Sequence, residues 1–367
     1  MLERVVHLID EFSQSNHGIM TAAVATSPIL ADRGVRSEVW FPKNNSQHAF
    51  DFSGAKPVVL AKLDLLDVVK HLKRCSLDPS NLVVVSHGAW RYPTQLAYRF
   101  HRAGAGWVYT PHGMLEPWSV RQKWLQKKLY WMLFEHRYVR RADVVRATSI
   151  PEYQNLSGMF KSTEMLPHGI VIPAPREQTI QPTKRVLFLG RLHHKKSPVA
   201  MVEAWMASSL NGDDNFELVI VGNDEGELPK IRAILDRTTS NIQLRPPVYG
   251  AEKQLLFSQC TFFVLPSHSE GFPMALLEAM AAGLVPLISD GCNLPDAVSA
   301  GVAIRLTPFK PDIQKIFNEI AQFSGEKIAK LSRASEQFVK DRYSVEAMAE
   351  RQLTLYQKLI KSKALAT

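Results

Sequence analysis

Cysteine is scarce in this sequence, and its three residues lie far apart: Cys75, Cys260 and Cys292. They form no C-x-x-C pair, so neither a disulfide framework nor a zinc site is expected, and we predict free thiols in a reducing compartment. The sequence also lacks a hydrophobic run long enough to span a bilayer, and its first residues lack the layout of a signal peptide. Together these absences predict a cytoplasmic protein.

Two familiar classes of binding motif are also missing. The G-x-G-x-x-G loop of nicotinamide oxidoreductases occurs neither in "LIDEFSQSNHG" nor in "FLGRLHHKK", which excludes that class. No nucleic-acid-binding motif is present, although the net charge of +9 favours acidic partners such as phosphates, nucleic acid or an anionic membrane. We therefore expect no nucleic-acid partner, and we assign the positive charge to a phosphorylated substrate or a membrane surface.

Strand and helix patterns alternate along nearly the whole chain. The first half has predicted strands at 4–9, 37–41, 57–60, 82–86, 107–110 and 144–148. The second half has predicted strands at 185–190, 216–222, 241–245, 261–267 and 284–289. Predicted helices lie at 19–33, 119–141, 197–209, 226–239, 251–259 and 273–282, and the tail from 311 to 363 is helical only. This alternation predicts two α/β domains, each with a doubly wound parallel sheet covered by helices.

A proline-rich stretch at 167–184 marks a linker between the domains, because it holds four prolines and little periodicity. We predict four segments, namely a Rossmann-like domain at 1–168, the linker at 169–184, a second Rossmann-like domain at 185–345, and a C-terminal helix at 346–367 that crosses back to the first domain. Two such domains would face each other across a cleft, with ligands bound beyond the carboxyl ends of the strands.

A His-Gly pair follows three predicted strands and precedes a predicted helix: His17-Gly18, His87-Gly88 and His112-Gly113. Glycine lets the backbone approach a ligand closely and exposes amides at a helix start, which suits a phosphate, while a histidine can donate to a substrate oxygen. The alternative is that these are turn glycines with incidental histidines. A metal site is disfavoured, because no histidine shows local ligand spacing such as H-x-x-x-H.

Two basic residues, Arg191 and Lys196, follow the predicted strand at 185–190 in "FLGRLHHKKSP". Cations at a strand exit suit a diphosphate, which Arg191 can bind through two parallel hydrogen bonds and Lys196 as a point charge. A solvated basic loop is the alternative interpretation.

The segment "SHSEGFPMALLEAMAAG" (267–283) places two carboxylates beside and inside an apolar helix. Pro273 suits the first helical position, so a buried helix is expected over 273–282, and Glu278 inside it needs partners. Glu270 precedes the helix and lies beside the backbone amides of Gly271 and Phe272, where the positive end of the helix dipole also lies. The two carboxylates can accept hydrogen bonds from sugar and ribose hydroxyls. The alternatives are a structural ion pair for Glu278 and a capping role for Glu270.

These segments together resemble the retaining family-4 (group 1) glycosyltransferases with the GT-B fold. The E-x7-E signature lies at Glu270 and Glu278, and the G-R-x4-K element lies at Gly190, Arg191 and Lys196. The segment "TPHGMLEPWSVRQKWLQKKLYWMLFEHRYVRRADVVRATS" is similar to a subgroup that builds bacterial surface polysaccharides. The resemblance implies two Rossmann-like domains facing across a cleft, with the acceptor bound by the N-terminal domain and the nucleotide-sugar donor by the C-terminal domain.

The resemblance also implies a role for each motif residue. Glu270 would hold hydroxyls of the transferred sugar, Glu278 would bind the ribose, and Arg191 and Lys196 would neutralise the leaving diphosphate. His112 would approach the transferred sugar. The other donor-binding residues implied are Gly18, Gly190, Gly271, Phe272 and Pro273. The chain departs from the family pattern in "NHGIM", which lacks the double glycine, and in "GCNLPD", which replaces G-G-x-P-E.

The resemblance implies a retaining hexosyltransferase that uses a UDP- or GDP-sugar and a glycan or lipid-linked saccharide acceptor. No D-x-D motif occurs in the sequence, so we predict a metal-independent enzyme without a cofactor. No residue is nominated as a covalent nucleophile, which favours front-face attack. The alternative function is a non-catalytic sugar-nucleotide-binding subunit of a glycosyltransferase complex, which would release no nucleotide in response to acceptor.

The segment 119–141 combines basic and aromatic residues. Its aromatic residues include Trp124, Tyr130, Trp131 and Phe134, interleaved with lysines and arginines. A basic amphipathic helix can lie on an anionic membrane, which would suit a lipid-linked acceptor at the inner face of the plasma membrane. The alternative is a helix that packs its aromatic residues on the sheet and exposes its basic face to water.

Overall fold

The structure is a computed structural model, and it describes residues 1–12, 17–42, 50–60, 78–90, 92–121, 124–173, 183–237 and 239–364. The chain forms two compact units, the first from Met1–Gly169 with Val345–Thr367 and the second from Ile170–Ser344. Part of the predicted linker, residues 174–182, lies outside the described residues.

The first unit contains a seven-stranded sheet in which all described pairings are parallel. Its strands are β1 (Arg4–Leu8), β2 (Arg36–Pro42), β3 (Lys56–Leu60), β4 (Leu82–His87), β5 (Gly106–Thr110), β6 (Val144–Ala147) and β7 (Thr163–Met165). Their order is β3-β2-β1-β4-β5-β6-β7. The sequence predicts β1 to β6, whereas β7 has only three residues and no buried one, so its pattern carries no strand signal.

The helices of the first unit differ from the sequence prediction in two places. The described helices are α1 (His17–Val24), α2 (Ser27–Asp32), α3 (Tyr92–Arg102), α4 (Pro117–Arg121), α5 (Trp124–Tyr130), α6 (His136–Val139), α7 (Ile150–Ser157) and, at the chain end, α15 (Val345–Ala364). The single helix predicted at 19–33 was wrong, because Pro28 lies at the start of α2 and cannot continue a preceding helix. The helix predicted at 119–141 is irregular rather than uniform, since the chain stays helical from Trp124 to Val139 but contains a π-helical turn at Trp131–Glu135 between α5 and α6.

The core of the first unit lies on both faces of its sheet. One face packs the large buried side chains of Trp40, Phe100, Trp107 and Tyr109. The other face is covered by α15, whose Tyr356 is fully buried against the strands. The strand β4 is buried along its whole length, as expected of a parallel sheet that is covered on both sides.

The second unit contains a six-stranded sheet, also parallel in every described pairing. Its strands are β8 (Lys184–Leu189), β9 (Phe216–Val221), β10 (Ile242–Arg245), β11 (Phe262–Leu265), β12 (Val285–Ser289) and β13 (Ile304–Leu306). Its helices are α8 (Pro198–Met206), α9 (Leu228–Leu235), α10 (Gly250–Ser258), α11 (Met274–Ala281), α12 (Pro295–Ser299), α13 (Lys310–Ala321) and α14 (Gly325–Tyr343). The prediction of two doubly wound parallel α/β sheets is confirmed; β13, which is only three residues long, was missed.

The strand order of each sheet reverses direction at one point. In the second unit the chain leaves β8 towards β9 and returns to β11 on the other side of β8. In the first unit the reversal lies between β1 and β4. Loops that leave neighbouring strands in opposite directions open a crevice at the carboxyl edge, and ligands of such sheets bind there.

Two further observations concern the surface and the thiols. Among the described residues, the helices are too short or too polar to cross a membrane. Cys260 and Cys292 are buried, and Cys75 lies outside the described residues.

Candidate active site

An ion pair joins the two loops that flank the strand-order reversal of the second unit. Lys196 follows β8 and Glu270 follows β11, and the Lys196 Nζ lies 2.5 Å from Glu270 Oε1. The same carboxylate oxygen accepts a 2.5 Å hydrogen bond from the Ser267 hydroxyl. Both charged side chains are largely buried, with 14% and 13% of their surface exposed. The structure therefore brings these two residues, which are 74 positions apart in sequence, into direct contact at the ligand-binding edge of the sheet.

The charge of Glu270 is maintained by its neighbours. Burial acts to raise the pKa of this carboxyl group, but the Lys196 ammonium and the Ser267 hydroxyl outweigh burial and hold the pKa below its usual value. An ionised carboxylate accepts stronger hydrogen bonds than a neutral one. Glu270 is therefore prepared to accept hydrogen bonds from hydroxyl groups of a ligand.

The backbone around Glu270 is held by the loop that follows β12. The Asn293 side-chain amide donates to the Glu270 carbonyl oxygen, and the Glu270 amide donates to the Gly291 carbonyl oxygen at 2.6 Å. A Cβ atom on Gly291 would lie 2.2 Å from the Ser267 carbonyl oxygen, so glycine is required for this close approach. The departure "GCNLPD" from the family pattern therefore has a structural role, since Asn293 orients the loop that carries Glu270.

The second basic residue of the loop after β8 is paired with a different carboxylate. The Arg191 Nη1 lies 3.0 Å from both oxygens of Glu225, which follows β9. Gly190 passes so close to Gly222 that a Cβ atom on Gly222 would lie 1.8 Å from the Gly190 carbonyl oxygen. Arg191 remains 48% exposed, so it is accessible to a ligand at this edge.

The second carboxylate of the E-x7-E motif also has a basic partner. Glu278 lies in α11, and both of its oxygens are 2.9 Å from Nζ of Lys253 in α10. The helix is as apolar and as buried as the sequence predicts, and its carboxylate is 17% exposed. The sequence interpretation named an ion pair as one alternative for Glu278 without identifying Lys253, which lies 25 positions earlier.

The helix start between the two carboxylates lies one residue later than predicted. Pro273 is the N-cap residue and α11 begins at Met274, because the backbone of Pro273 is not helical. Gly271 and Phe272 connect this start to Glu270, and the Phe272 ring lies 6.1 Å from the ring of Tyr343. These residues thus form the turn that joins β11 to α11.

In the first unit, His112 occupies a strained turn after β5. Its φ angle is +54°, and Gly113 follows at +73°. A positive φ is unfavourable for residues with a side chain, so the turn must be held by its surroundings. The Gly113 amide donates a 2.6 Å hydrogen bond to Glu152, whose other oxygen accepts from the Thr148 amide and hydroxyl.

The three His-Gly pairs are only partly brought together. His87, at the end of β4, lies 2.8 Å from His112 between ring nitrogens. Gly18 is exposed near the start of α1, with open space where a Cβ atom would lie. The side chain of His17 is outside the described residues. Among the described residues, no group of histidines, cysteines or carboxylates is arranged to hold a metal ion.

The sequence and the fold agree with a known enzyme family. A family model for "Glycosyl transferases group 1" matches residues 174–350, which include Arg191, Lys196, Glu270 and Glu278. Two relatives that cover 85% of the chain or more carry glycosyltransferase names. The chain is a glycosyltransferase, and its residues 174–350 match group 1.

The relatives and structural neighbours extend over most of this enzyme. The D-inositol 3-phosphate glycosyltransferase of Segniliparus rotundus is 23% identical and covers 93% of this chain and 84% of its own. The N,N'-diacetylbacillosaminyl-diphospho-undecaprenol alpha-1,3-N-acetylgalactosaminyltransferase of Campylobacter jejuni is 26% identical, and the match covers 85% of this chain and 86% of that enzyme. The structure of Anabaena Alr3699/HepE in complex with UDP and glucose has a TM-score of 0.76 at 14% identity, and the match covers 97% of this chain and 100% of that chain. The GT-B fold expected of this glycosyltransferase is thereby confirmed.

Proposed function

We propose that this glycosyltransferase transfers a hexose, with retention of anomeric configuration, from a UDP- or GDP-sugar to a glycan or lipid-linked saccharide acceptor. The observation that carries the donor half of this proposal is the Lys196–Glu270 pair at the strand-order reversal. It places a cation for a phosphate beside an ionised acceptor for sugar hydroxyls, at the edge where such sheets bind ligands. The acceptor class follows the relative from Campylobacter jejuni, whose name specifies a saccharide on diphospho-undecaprenol.

The proposed reaction needs charge stabilisation more than it needs a nucleophile. The bond between the anomeric carbon and the diphosphate oxygen breaks, and the acceptor hydroxyl bonds to the same face of the sugar. The hydroxyl proton passes to the departing phosphate. Lys196 and Arg191 would stabilise the negative charge that builds on the diphosphate, where fixed charges have their largest effect. Glu270 would hold sugar hydroxyls and Glu278 the ribose, so no metal ion is required in this proposal.

Donor binding is tested by thermal denaturation of the full chain with UDP, GDP, ADP and their common sugars, with and without EDTA. We expect one nucleotide diphosphate to raise the melting temperature, and EDTA to have no effect. Lys196→Met should abolish the shift. Lys230→Met is the matched control, because Lys230 is 62% exposed and its ion pair among the described residues is with Glu227, three positions earlier. No shift with any donor would contradict the proposed donor site.

Transfer is tested by release of the nucleotide diphosphate in the presence of a polyprenyl-diphosphate-linked saccharide. Acceptor-dependent release supports the proposed acceptor, and the coupling constant of the anomeric proton in the product reports the configuration. An inverted product would refute retention. Loss of activity in EDTA, restored by a divalent cation, would refute metal independence.

We also propose that the enzyme contacts an anionic membrane through the segment around α5. Six large apolar side chains are exposed there: Trp124, Leu125, Leu129, Met132, Leu133 and Phe134. Most soluble proteins expose such residues singly, and a contiguous group marks an interaction surface. The aromatic residues of this segment have two different environments. Trp131 packs against the core, whereas Trp124 and Phe134 are exposed to solvent.

The spacing and charge of this surface suit a bilayer interface. Leu125 and Leu129 lie four residues apart on one side of α5, and Met132 and Leu133 are exposed in the π-helical turn that follows it. The Nζ of Lys128 lies 5.8 Å from the ring centre of Trp124. On such a surface the apolar side chains can enter the acyl boundary of the bilayer, while the neighbouring cations contact the anionic headgroups.

Vesicle co-sedimentation tests this contact with the full chain. We expect binding to vesicles that contain phosphatidylglycerol and weaker binding to pure phosphatidylcholine. The double variant Leu129→Gln with Met132→Gln should lose binding, while Leu255→Gln should keep it, since Leu255 is equally exposed but lies in the second unit. Equal binding of both variants would refute the assignment of this surface.

A further inference from the structure

Four histidines of the first unit form a continuous row along the carboxyl edge of its sheet: His7, His87, His112 and His168. The ring nitrogens are separated by 3.0 Å between the first two, 2.8 Å between the second and third, and 3.3 Å between the third and fourth. Neighbouring rings have centre separations of 5.1 to 5.2 Å. The row therefore links the end of β1 to the loop that follows β7.

A buried arginine stands at one end of this row. Arg146, in β6, is 1% exposed and donates to the Leu166 and Pro167 carbonyl oxygens at 2.6 and 2.7 Å. The same guanidinium lies 3.3 Å from Nδ1 of His168. The carbonyl contacts fix the position of Arg146, and the second N–H of its Nη2 is directed to His168.

The arginine determines the direction of every hydrogen bond in the row. Arginine has donors only, so Nδ1 of His168 must accept and its Nε2 must carry the proton. His168 Nε2 then donates to His112 Nδ1, and His112 Nε2 donates to His87 Nδ1. The same logic makes His87 donate to His7. The row ends at Nε2 of His7, a buried nitrogen with no hydrogen-bond partner among the described residues.

All four imidazoles are neutral in this arrangement, because each inner ring uses one nitrogen as donor and the other as acceptor. Burial and the charge of Arg146 lower the pKa of His7 and of His112 to about 3. The pKa values of His87 and His168 are also lowered, chiefly by burial. Glu152 interacts with the charge of Arg146, and its carboxylate accepts from the Gly113 amide.

We propose that Arg146 and His168 are positioning residues that hold His112 as a neutral imidazole in its Nε2–H form, with the ring orientation fixed at the end of β5. The catalytic meaning of this inference rests on the proposed function together with the role that the family resemblance implies for His112, which is to approach the transferred sugar. Positive charge builds on the sugar ring during transfer, and an imidazolium nearby would oppose it. A neutral, immobile His112 leaves that charge to be balanced by the departing diphosphate.

Nitrogen NMR of the ligand-free full chain, labelled with 15N-histidine, tests the positioning directly. We expect His112 to show a protonated Nε2, an unprotonated Nδ1 and no titration between pH 8 and pH 5. In His168→Gln the amide can accept from Arg146 and donate to His112, so the His112 signals should be retained. In His168→Leu both bonds are lost, so the Nδ1–H form should appear, while burial still keeps the ring neutral. A wild-type His112 that carries its proton on Nδ1, or that titrates near pH 6.5, would overturn the proposal.

The kcat measured at pH 7.5 and at pH 5.5 tests the catalytic meaning. Loss of the Nε2–H form in His168→Leu should lower kcat about tenfold at both pH values, since one lost hydrogen bond costs about 1.4 kcal/mol and burial still keeps the ring neutral. Wild type, His168→Gln and the exposed control Arg102→Gln should differ from one another less than twofold. Equal kcat values for all four proteins would overturn the catalytic role. If no donor and acceptor give transfer, the proposed function fails, while the NMR result still decides the positioning.

Discussion

The histidine row should make the first unit sensitive to acid, and the sensitivity is measurable. A histidine that stays neutral in the native state but is protonated in the unfolded state lowers the stability as the pH falls below its unfolded pKa of about 6.5. The pKa values of His7 and His112 are about 3 in the native structure. Each histidine therefore lowers the free energy of unfolding as the pH falls from about 6.5 to about 3. Between pH 7 and pH 5, each should reduce the free energy of unfolding by about 2 kcal/mol.

Two buried carboxyl groups of the same unit, Glu135 and Glu152, act in the opposite direction, because burial raises the pKa of each. Burial raises the pKa of Glu135 to about 7, above its unfolded value, so Glu135 stabilises the native state as the pH falls from 7 to 5, by about 2 kcal/mol. The wild-type protein alone would therefore understate the histidine effect. A comparison between wild type and a variant that lacks one histidine of the row removes the contributions of these carboxyl groups, because both proteins contain them.

His7→Asn is the variant of choice. The Asn oxygen can accept from His87 in place of Nδ1, and the substitution removes the Nε2 that has no partner among the described residues. The decrease in stability from pH 7 to pH 5 should be about 2 kcal/mol smaller in His7→Asn than in wild type. This is a large fraction of the 5 to 15 kcal/mol typical of a folded domain, so the difference should be well resolved.

Hydrogen–deuterium exchange with mass spectrometry measures the effect in each unit separately. Peptides that cover β4 report the first unit, and peptides that cover β9 provide an internal reference from the second unit. After correction for intrinsic exchange rates, protection of β4 should fall more steeply with acid in wild type than in His7→Asn. Equal slopes in the two proteins, or equal loss of protection in both units, would refute the neutral histidine row.

Three further predictions concern single charges in the two units. Glu278→Gln should weaken donor binding about 10- to 100-fold in isothermal calorimetry, because a hydrogen bond to a charged group contributes about 1.5–3 kcal/mol. Lys253→Met should change the affinity less than about threefold. Equal losses of affinity in the two variants would make Glu278 a purely structural partner of Lys253. As the pH rises from 4.5 to 8, Glu135 should cost the wild type about 3 kcal/mol of the free energy of unfolding, measured with urea, and Glu135→Gln should remove this loss. An unchanged pH dependence would contradict the raised pKa. Lys196→Met should raise the pKa of Glu270, because it removes the main opposite charge. The double variant Lys196→Met with Glu270→Gln should be more stable in thermal unfolding than Lys196→Met alone, because it leaves no buried unpaired carboxylate. A less stable double variant would refute this account.

The sequence predicted the architecture well because parallel sheets leave a clear pattern. Buried strands are nearly continuous apolar runs, and those at 82–86 and 185–190 were located to within one residue at each end. The errors lie where tertiary context decides. The turn between α1 and α2 depends on where Pro28 falls relative to the helix ends, and the π-helical turn at Trp131–Glu135 leaves no periodic signal.

The site could be predicted only as far as spacing determines geometry. The E-x7-E motif located both carboxylates relative to α11, but it could not identify Lys253 as a partner, since that contact depends on how α10 packs. Ser267 and Asn293 were not assigned roles for the same reason. The histidine row was missed beyond His87 and His112, although a signal existed: Arg146 lies within the buried strand pattern "VVRAT", and a charged residue there must have partners.

The two units hold their charges in different ways, and the difference fits the proposed function. In the second unit the described cations Arg191, Lys196 and Lys253 each face a carboxylate, so the charges are present before a ligand arrives and need only be redistributed. Lys196 can turn from Glu270 to a phosphate while Ser267 continues to satisfy the carboxylate. In the first unit the groups beside His112 are kept neutral by burial and by the one-way donation of Arg146. A site that must hold a diphosphate benefits from fixed cations, whereas a side chain that approaches a developing positive charge benefits from having none.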